Sequence, residues 1–371
     1  MTEEKESFPQ NFLSDPLRQH KPYIPGEQPS SAERIIKLNT NENPYPPSPS
    51  VGVKAAEEIK RLNLYPNPKS TQLRKVIASL HEISMEQVIV GNGSDDLLNL
   101  CVRSFADSNQ SVGMLDPSYS LYEVLASIQG ARLIRIPFDS DDFELPLEKI
   151  TNCSANLFFL TSPHAPSGRA YQLEQLESVA DNFNGILVID EAYADFAQEN
   201  AIPLLAKYPH IIITRTLSKS YSLAGLRVGY AMGNPSVIRV LDQAREVYNL
   251  DRIAQAIAQA ALEDQKYFEE TTQKIIQSRI WICDIFAEWI WRTIPSATNF
   301  IFCQPLDHSG TGGAQIANSL YSFLSTRGIL VRYFPQNKLT ESYIRISIGM
   351  PEEMSMLINT IKEWQHQGQL K

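Results

Sequence analysis

The sequence predicts an α/β protein: a buried, mostly parallel sheet with helices on both faces, followed by a smaller α+β unit. Three observations carry this. From about residue 70, short β-branched runs alternate with helical patterns, the rhythm of strand–helix units in a parallel sheet. The runs are apolar and bounded by turn residues, as strands covered on both faces are. After residue 250 the rhythm changes to a long helical stretch, then to short strands and helices.

Taken in order, residues 1–30 contain five prolines and read as an extended arm, with one short helix near Asp15–Arg18. Ile35-Ile36-Lys37-Leu38 is a short strand before the proline-rich turn Asn43-Pro44-Tyr45-Pro46-Pro47. Val51–Leu62 reads as a helix. Val88-Ile89-Val90 is a strand that leads through Gly91 into a helix over Asp95–Phe105. Ser111–Leu115 is the next strand and Tyr119–Gln129 the next helix. Leu133–Ile136, Leu157–Leu160, Ile186–Ile189 and Ile211–Thr214 are further strands. Residues 251–292 carry apolar residues at helical spacing, a stretch too long for one ordinary helix, so a bend or break is expected before Pro295 ends it. Asn299–Cys303 (strand), Ala314–Arg327 (helix), Leu330–Tyr333 and Tyr343–Ile348 (strands) and a last helix from Pro351 complete the chain. There is no internal repeat.

A chain of 371 residues is comfortable for two packed domains. The expected division is an N-terminal arm over 1–45, a large domain over 46–265 and a small domain over 266–371. A composition 43% hydrophobic and 20% charged implies a sizeable core. The net charge of −9, with no basic run beyond a few residues, argues against nucleic acid and anionic membrane as partners. The four cysteines are far apart without CxxC spacing, which predicts reduced thiols rather than disulfides or a zinc site. Met1–Gln10 is acidic and polar, unlike a signal peptide, and no apolar run approaches the length of a membrane span. A cytoplasmic protein is expected.

The most informative run is Thr216-Leu217-Ser218-Lys219-Ser220-Tyr221, continuing through Gly225 and Arg227 to Gly229-Tyr230. A lysine between two hydroxyl residues reads either as a solvated side chain or as an amine made nucleophilic by burial or nearby cations. The serines and Arg227 suit a phosphate dianion. Gly91-Asn92-Gly93-Ser94-Asp95 joins a strand to a helix. It is either an anion site at a helix N-terminus or a glycine-assisted turn capped by Ser94 or Asp95. Tyr119 can stack on a planar ring or fill core space. Asp190 ends a strand, where ligands of open α/β sheets gather; it can hold a pyridine nitrogen protonated or cap a helix. Tyr193 is three residues on. Arg332 and Arg345 lie on adjacent strands, and suit either a carboxylate or phosphate fork or surface ion pairs.

Their order along the chain resembles that of the fold-type I aminotransferases, and within them the histidinol-phosphate aminotransferase family. The resemblance runs from about Tyr23 to about Gly349 and includes Leu38–Pro44, Gly91–Asp95, Asp190–Tyr193 and Thr216–Tyr230. It implies a mostly parallel seven-stranded sheet in a large domain that binds pyridoxal 5′-phosphate (PLP), and a homodimer acting on small molecules. By resemblance, Lys219 forms the Schiff base with PLP and acts as general base. Asp190 pairs with the pyridine nitrogen, Tyr193 donates to the ring oxygen and Tyr119 stacks on the ring. Ser94, Asp95, Thr216, Ser218 and Arg227 hold the cofactor phosphate, and Tyr65 reaches that of the neighbouring subunit. Tyr23, Arg332 and Arg345 receive the substrate's phosphate or carboxylate. The implied reaction is amino transfer between L-histidinol phosphate and 2-oxoglutarate. Aromatic amino-acid aminotransferases and threonine-phosphate decarboxylases have similar sites. A PLP-fold regulator would need an N-terminal DNA-binding domain that residues 1–35 are too short to form.

The chain departs from the family at Ser162-Pro163-His164-Ala165-Pro166-Ser167-Gly168. Relatives carry an asparagine before Pro-(Thr/Ser)-Gly that donates to the ring oxygen. Ala165 cannot donate. His164, with one donor as a neutral imidazole, is expected to take its place by turning inward.

Overall fold

In a computed structural model, residues 12–18, 20–23, 26, 27 and 35–367 are described. The polar start and much of the proline-rich arm, including Ile24 and Pro25, lie outside them. The short helix expected near Asp15–Arg18 is a single 3-10 turn over those residues.

The strands of the first two-thirds are β1 (Ile36–Lys37), β2 (Val88–Gly91), β3 (Ser111–Asp116), β4 (Arg132–Pro137), β5 (Leu157–Thr161), β6 (Ile186–Asp190), β7 (Ile211–Thr216) and β8 (Gly229–Gly233). All but β1 form one seven-stranded sheet in the order β2-β8-β7-β6-β5-β3-β4. β4, β3, β5, β6 and β7 run parallel. β8 is antiparallel to both β7 and β2. Alternate residues feed opposite faces. Phe158, Leu160, Leu187, Ile189, Ile211 and Ile213 join one core cluster, while Leu157, Phe159, Val188 and Ile212 join another. This two-sided burial is why the strands read as unbroken apolar runs. β8, with the sequence Gly-Tyr-Ala-Met-Gly, escaped the sequence reading because glycine and alanine give no strand signal.

The helices α1 (Ser50–Ile59), α2 (Thr71–Leu80), α3 (Ser94–Phe105), α4 (Leu121–Gln129), α5 (Leu147–Thr151), α6 (Leu173–Asn182) and α7 (Pro235–Ala244) belong to the same part of the chain. The long helical stretch breaks as expected, into α8 (Arg252–Glu263) and α9 (Gln265–Glu288). Asp264 sits at the break, and its side chain accepts from Tyr267 N–H, capping α9. Pro295 does not end this helix. α9 stops seven residues earlier in a paired C-terminal turn: Trp291 N–H donates to the Phe286 carbonyl and Ile290 N–H to that of Ala287, each at 2.9 Å. The position that usually carries glycine is Ile290, at φ 61°. No stop signal was therefore visible in the sequence. The turn returns Trp291 onto Phe286, with ring centroids 4.7 Å apart.

The chain then forms β9 (Arg292–Ile294), β10 (Phe300–Gln304), α10 (Ala314–Thr326), β11 (Ile329–Leu330), β12 (Arg332–Tyr333), β13 (Ile344–Ser347) and α11 (Pro351–Gln367). The run Leu330–Tyr333, read as one strand, serves two sheets. β11 pairs in parallel with β1, whereas β12 is the edge of the antiparallel sheet β12-β13-β10-β9. Ile36 and Leu38 complete a core with Ile275, Ile282, Phe300, Ile344, Leu357 and Trp364. All four cysteines are free. No helix among the described residues is long and apolar enough to cross a membrane.

Candidate active site

The site forms along the carboxyl edge of the large sheet, where Thr161, Asp190 and Thr216 end neighbouring strands. Asp190 is 3% exposed. Its Oδ2 accepts from Tyr122 Oη at 2.7 Å, and its Oδ1 from Thr214 Oγ1 and Ala192 N–H, each at 3.2 Å. Burial pushes its carboxyl up to about 6, and Asp95 pushes the same way. The hydrogen bonds from Tyr122, Thr214 and Ala192 oppose it. A carboxylate held this far above its ordinary value would gain from a cation beside it. Tyr122 is a site residue that the sequence reading missed. It lies on the buried face of α4 and stacks on Phe159 at 4.5 Å, so by pattern it is a core residue.

Three glycines let the anion cradle close. Gly93 (φ 90°) precedes α3, whose first turn receives no side-chain cap. Unpaired N–H groups at a helix start are anion donors. A Cβ on Gly93 would strike the Arg227 guanidinium, one on Gly229 would strike Ser94 N, and one on Gly91 would crowd Leu97. Arg227, itself at φ 57°, donates to Ser218 Oγ at 3.3 Å and pairs with Asp95 at 3.2 Å. Thr216 Oγ1 lies 3.0 Å from Ser218 Oγ and accepts from Ser218 N–H at 3.1 Å. Tyr119 Oη reaches Asp95 Oδ1 at 3.2 Å, and its ring meets Tyr122 edge-on.

Lys219 follows this cradle. Its Nζ donates to the Thr40 carbonyl at 3.1 Å and lies 5.9 Å from the centre of the Tyr193 ring. Burial brings its amine down to about 8, with Arg345 and Arg227 repelling the charge and Glu42 and Asp95 favouring it. The Asn43 carboxamide donates to the carbonyls of Lys219 and Ser220, each at 3.0 Å. Below the loop, Arg215 forks onto Glu191 at 2.7 and 2.9 Å and reaches Asp195 at 3.0 Å, while Ser220 Oγ donates to Asp195. The lysine backbone is thus held from two sides, by groups that local sequence did not mark.

Arg345 and Arg332 face each other across β12 and β13. Arg345 donates to the Asn39 carbonyl at 3.2 Å, stacks near Phe300 and Phe334, and leaves its buried Nε without a protein partner. Tyr23 meets Tyr119 edge-on at 6.0 Å, beside this pair. Tyr65 stands apart: it is 77% exposed and stacks on Tyr248, with its carbonyl held by Arg252 at 2.7 Å.

The expectation for His164 is overturned. Its ring is fully buried among Phe138, Phe143 and Tyr171. Nε2 lies 3.0 Å from the Pro117 carbonyl, which can only accept, and Nδ1 lies 2.8 Å from Ser167 Oγ. The single proton of the neutral ring is therefore spent on Pro117. Burial brings the imidazole down to about 4, so it stays neutral. His164 has no donor left for a cofactor ring.

Fold and site together define an α/β enzyme built around a lysine amine, an anion cradle and a buried carboxylate. The family model "Aminotransferase class I and II" matches residues 33–361. The histidinol-phosphate aminotransferase of Microcystis aeruginosa is 43% identical over 349 residues, 94% of this chain and 97% of that protein. That of Synechocystis sp. is 42% identical over 347 residues, covering 93% and 96%. The crystal structure of histidinol-phosphate aminotransferase from Sinorhizobium meliloti, in complex with pyridoxal-5′-phosphate, superposes with a TM-score of 0.82. It has 29% identity and covers 90% of this chain and 92% of that one. The chain belongs to the class I and II aminotransferases.

Proposed function

We propose that this aminotransferase uses PLP to move an amino group between L-histidinol phosphate and 2-oxoglutarate, a step of histidine biosynthesis. The observation that carries the reading is the convergence of Lys219, Asp190 and the Gly93–Ser218–Arg227 cradle, in a chain that matches histidinol-phosphate aminotransferases over nearly its whole length.

The residues present fit the cofactor. Helix N–H groups at Ser94 and Asp95, with Thr216, Ser218 and Arg227, would hold its phosphate. Asp190 would pair with the pyridine nitrogen, Tyr119 would face the ring and Tyr193 would donate to the ring oxygen. When bound, PLP supplies an aldehyde that captures the amino group and a ring that draws electrons from the adjacent carbon. Lys219 Nζ, with its lowered proton affinity, would take up and return a proton as the general base. Arg345, whose Nε lacks a protein partner, receives the anionic end of the substrate with Arg332 and Tyr23. Ala165, at the position of the family's ring-oxygen asparagine, leaves Tyr193 as the side-chain donor.

The same reading includes the division 1–45, 46–265 and 266–371; most of the core around Ile275–Trp364 comes from the third unit, joined by Ile36 and Leu38 of the first and Ala165, Tyr193 and Phe196 of the second. It also includes a cytoplasmic homodimer. Ile59, Leu62, Leu64, Tyr65, Val247 and Tyr248 are exposed apolar side chains near the Tyr65–Tyr248 stack. Such a group suits burial against a second copy, with Tyr65 reaching its cofactor phosphate.

Steady-state comparison of histidinol phosphate with phenylalanine as amino donor tests the substrate. Histidinol phosphate is expected to have the higher kcat/KM; a preference for phenylalanine would overturn the assignment. Borohydride is expected to abolish the visible band of the wild type, and Lys219→Ala to lack it.

A further inference from the structure

Asn41 sits in a strap, residues 38–43, that crosses from the C-terminal sheets to Lys219. Its φ of 55° is left-handed, a conformation asparagine tolerates better than most residues. The residue is 2% exposed and anchored from the C-terminal unit. Its N–H donates to Ser347 Oγ at 2.9 Å, Ser347 Oγ donates back to Asn41 Oδ1 at 3.0 Å, and Asn299 Nδ2 donates to the Asn41 carbonyl at 2.9 Å. Its carboxamide nitrogen remains, and it donates to Tyr193 Oη at 2.9 Å.

The proton count gives this contact a direction. Ser347 has one hydroxyl hydrogen, and in this arrangement gives it to Oδ1. The nitrogen of the carboxamide then faces Tyr193, so the phenol oxygen accepts. Its own hydrogen must point elsewhere. Donation to a phenol oxygen also strengthens its O–H as a donor, because linked hydrogen bonds polarise one another. Lys219 lies 5.9 Å from the same ring, and its amine is held by Thr40, the preceding residue of the strap.

We propose that Asn41 is a positioning residue for the Tyr193 hydroxyl: it donates to the phenol oxygen and so turns the phenolic proton into the cavity shared with Lys219. The proposal rests on the reading of Tyr193 as donor to the cofactor ring oxygen. Because Ser347 and Asn299 orient the carboxamide, the C-terminal unit sets the direction of that proton. A flipped carboxamide would present Oδ1 and draw the proton out of the site.

The test is the pH titration of the visible absorbance of full-length protein loaded with PLP. Tyr193→Phe removes the donor and is expected to raise the midpoint; an unmoved midpoint there overturns the reading of Tyr193 itself. Asn41→Asp keeps size and backbone tolerance but places an acceptor against the phenol. It is expected to raise the midpoint, and by less when Tyr193 is already Phe; the part that persists in the double variant is the effect of its charge, and an equal rise in both backgrounds overturns the proposal. Asn41→Ala is expected to give a smaller rise of about half to one pH unit, the size of one neutral hydrogen bond. If the Asn41 variants do not fold, Ser347→Ala, which frees the carboxamide to flip, is expected to raise the midpoint in their place. If Tyr193→Phe moves the midpoint while the folded Asn41 variants, or Ser347→Ala in their place, leave it where it was, Asn41 is only a structural link and the proposal falls.

Discussion

Tyr122 Oη lies 2.7 Å from Asp190 Oδ2 and donates to it, and both residues are buried. The same hydroxyl is 2.7 Å from Thr161 Oγ1, so a helix and two strands meet at one oxygen. Tyr122→Phe keeps the stack on Phe159 and removes only the hydroxyl. Asp190 then loses a donor that favours its charged form. Cofactor binding, followed by absorbance, is expected to weaken about five- to tenfold, the effect of roughly 1–1.5 kcal/mol.

Asp190 itself opposes folding when no cation is beside it. Its carboxyl stands near 6 in the folded protein against an ordinary value of 3.8. The unfolded chain therefore releases the proton first, and the cost of the folded charge grows from about pH 4 and is fully present above about pH 6. In the cofactor-free protein, Asp190→Asn is expected to raise stability at pH 7.5 by roughly 1–3 kcal/mol, and the gain to vanish towards pH 4. The same variant is expected to lose cofactor affinity. Denaturant melts at the two pH values check the first statement; a gain that persists at pH 4 would contradict it.

The Lys219 amine, near 8, is mostly protonated at neutral pH. The rate at which cofactor-free protein captures PLP covalently is expected to rise about tenfold from pH 7 to 9 and then to level. Replacing Arg345 by Gln removes a repelling charge and is expected to shift that profile to higher pH. Stopped-flow absorbance across the range measures both.

His164 is a core residue, not a cofactor ligand. His164→Ala is expected to leave the pH titration of the bound cofactor in place while lowering stability by about 2–4 kcal/mol, through the cavity and the unpaired Pro117 and Ser167 groups. Its folded value near 4 lies below the ordinary 6.5. The stability it contributes is present above 6.5 and lost as pH falls towards 4. The wild type is therefore expected to melt lower at pH 5 than at pH 7, with a weaker dependence in His164→Leu.

Ile290 occupies the left-handed turn after α9 and is 81% exposed. A β-branched residue is strained there, and glycine is not. Ile290→Gly is expected to raise stability by about 1 kcal/mol, read as a higher denaturation midpoint without change in activity. A loss would mean that the side chain packs favourably.

Much of the fold and part of the site could be read along the chain. The apolar strands of the large sheet announce themselves because both their faces are buried. Asp190, Lys219, Arg227 and Arg345 stand out as candidates because each has a reactive or charged side chain next to a turn or strand end. Tyr122 and Asn41 were missed for the opposite reason. Tyr122 sits on an apolar helix face, and Asn41 lies 152 positions from the tyrosine it orients. Arg215 and Glu191 likewise meet only through the register of β6 and β7.

Local pattern was thus enough for the architecture and for marking the lysine and the glycine-bounded loop as candidates, because strand periodicity and turn residues are short-range properties. It was not enough for His164. Its residue type permits donation, but which atom receives the proton depends on Pro117, 47 positions away. It was equally silent on the direction of the Tyr193 hydroxyl. That hydrogen is turned by Asn41, and Asn41 by Ser347, 306 positions along the chain. Which residues are candidates for the chemistry follows from type and spacing. Where their protons point is decided by partners that only packing brings within hydrogen-bond reach.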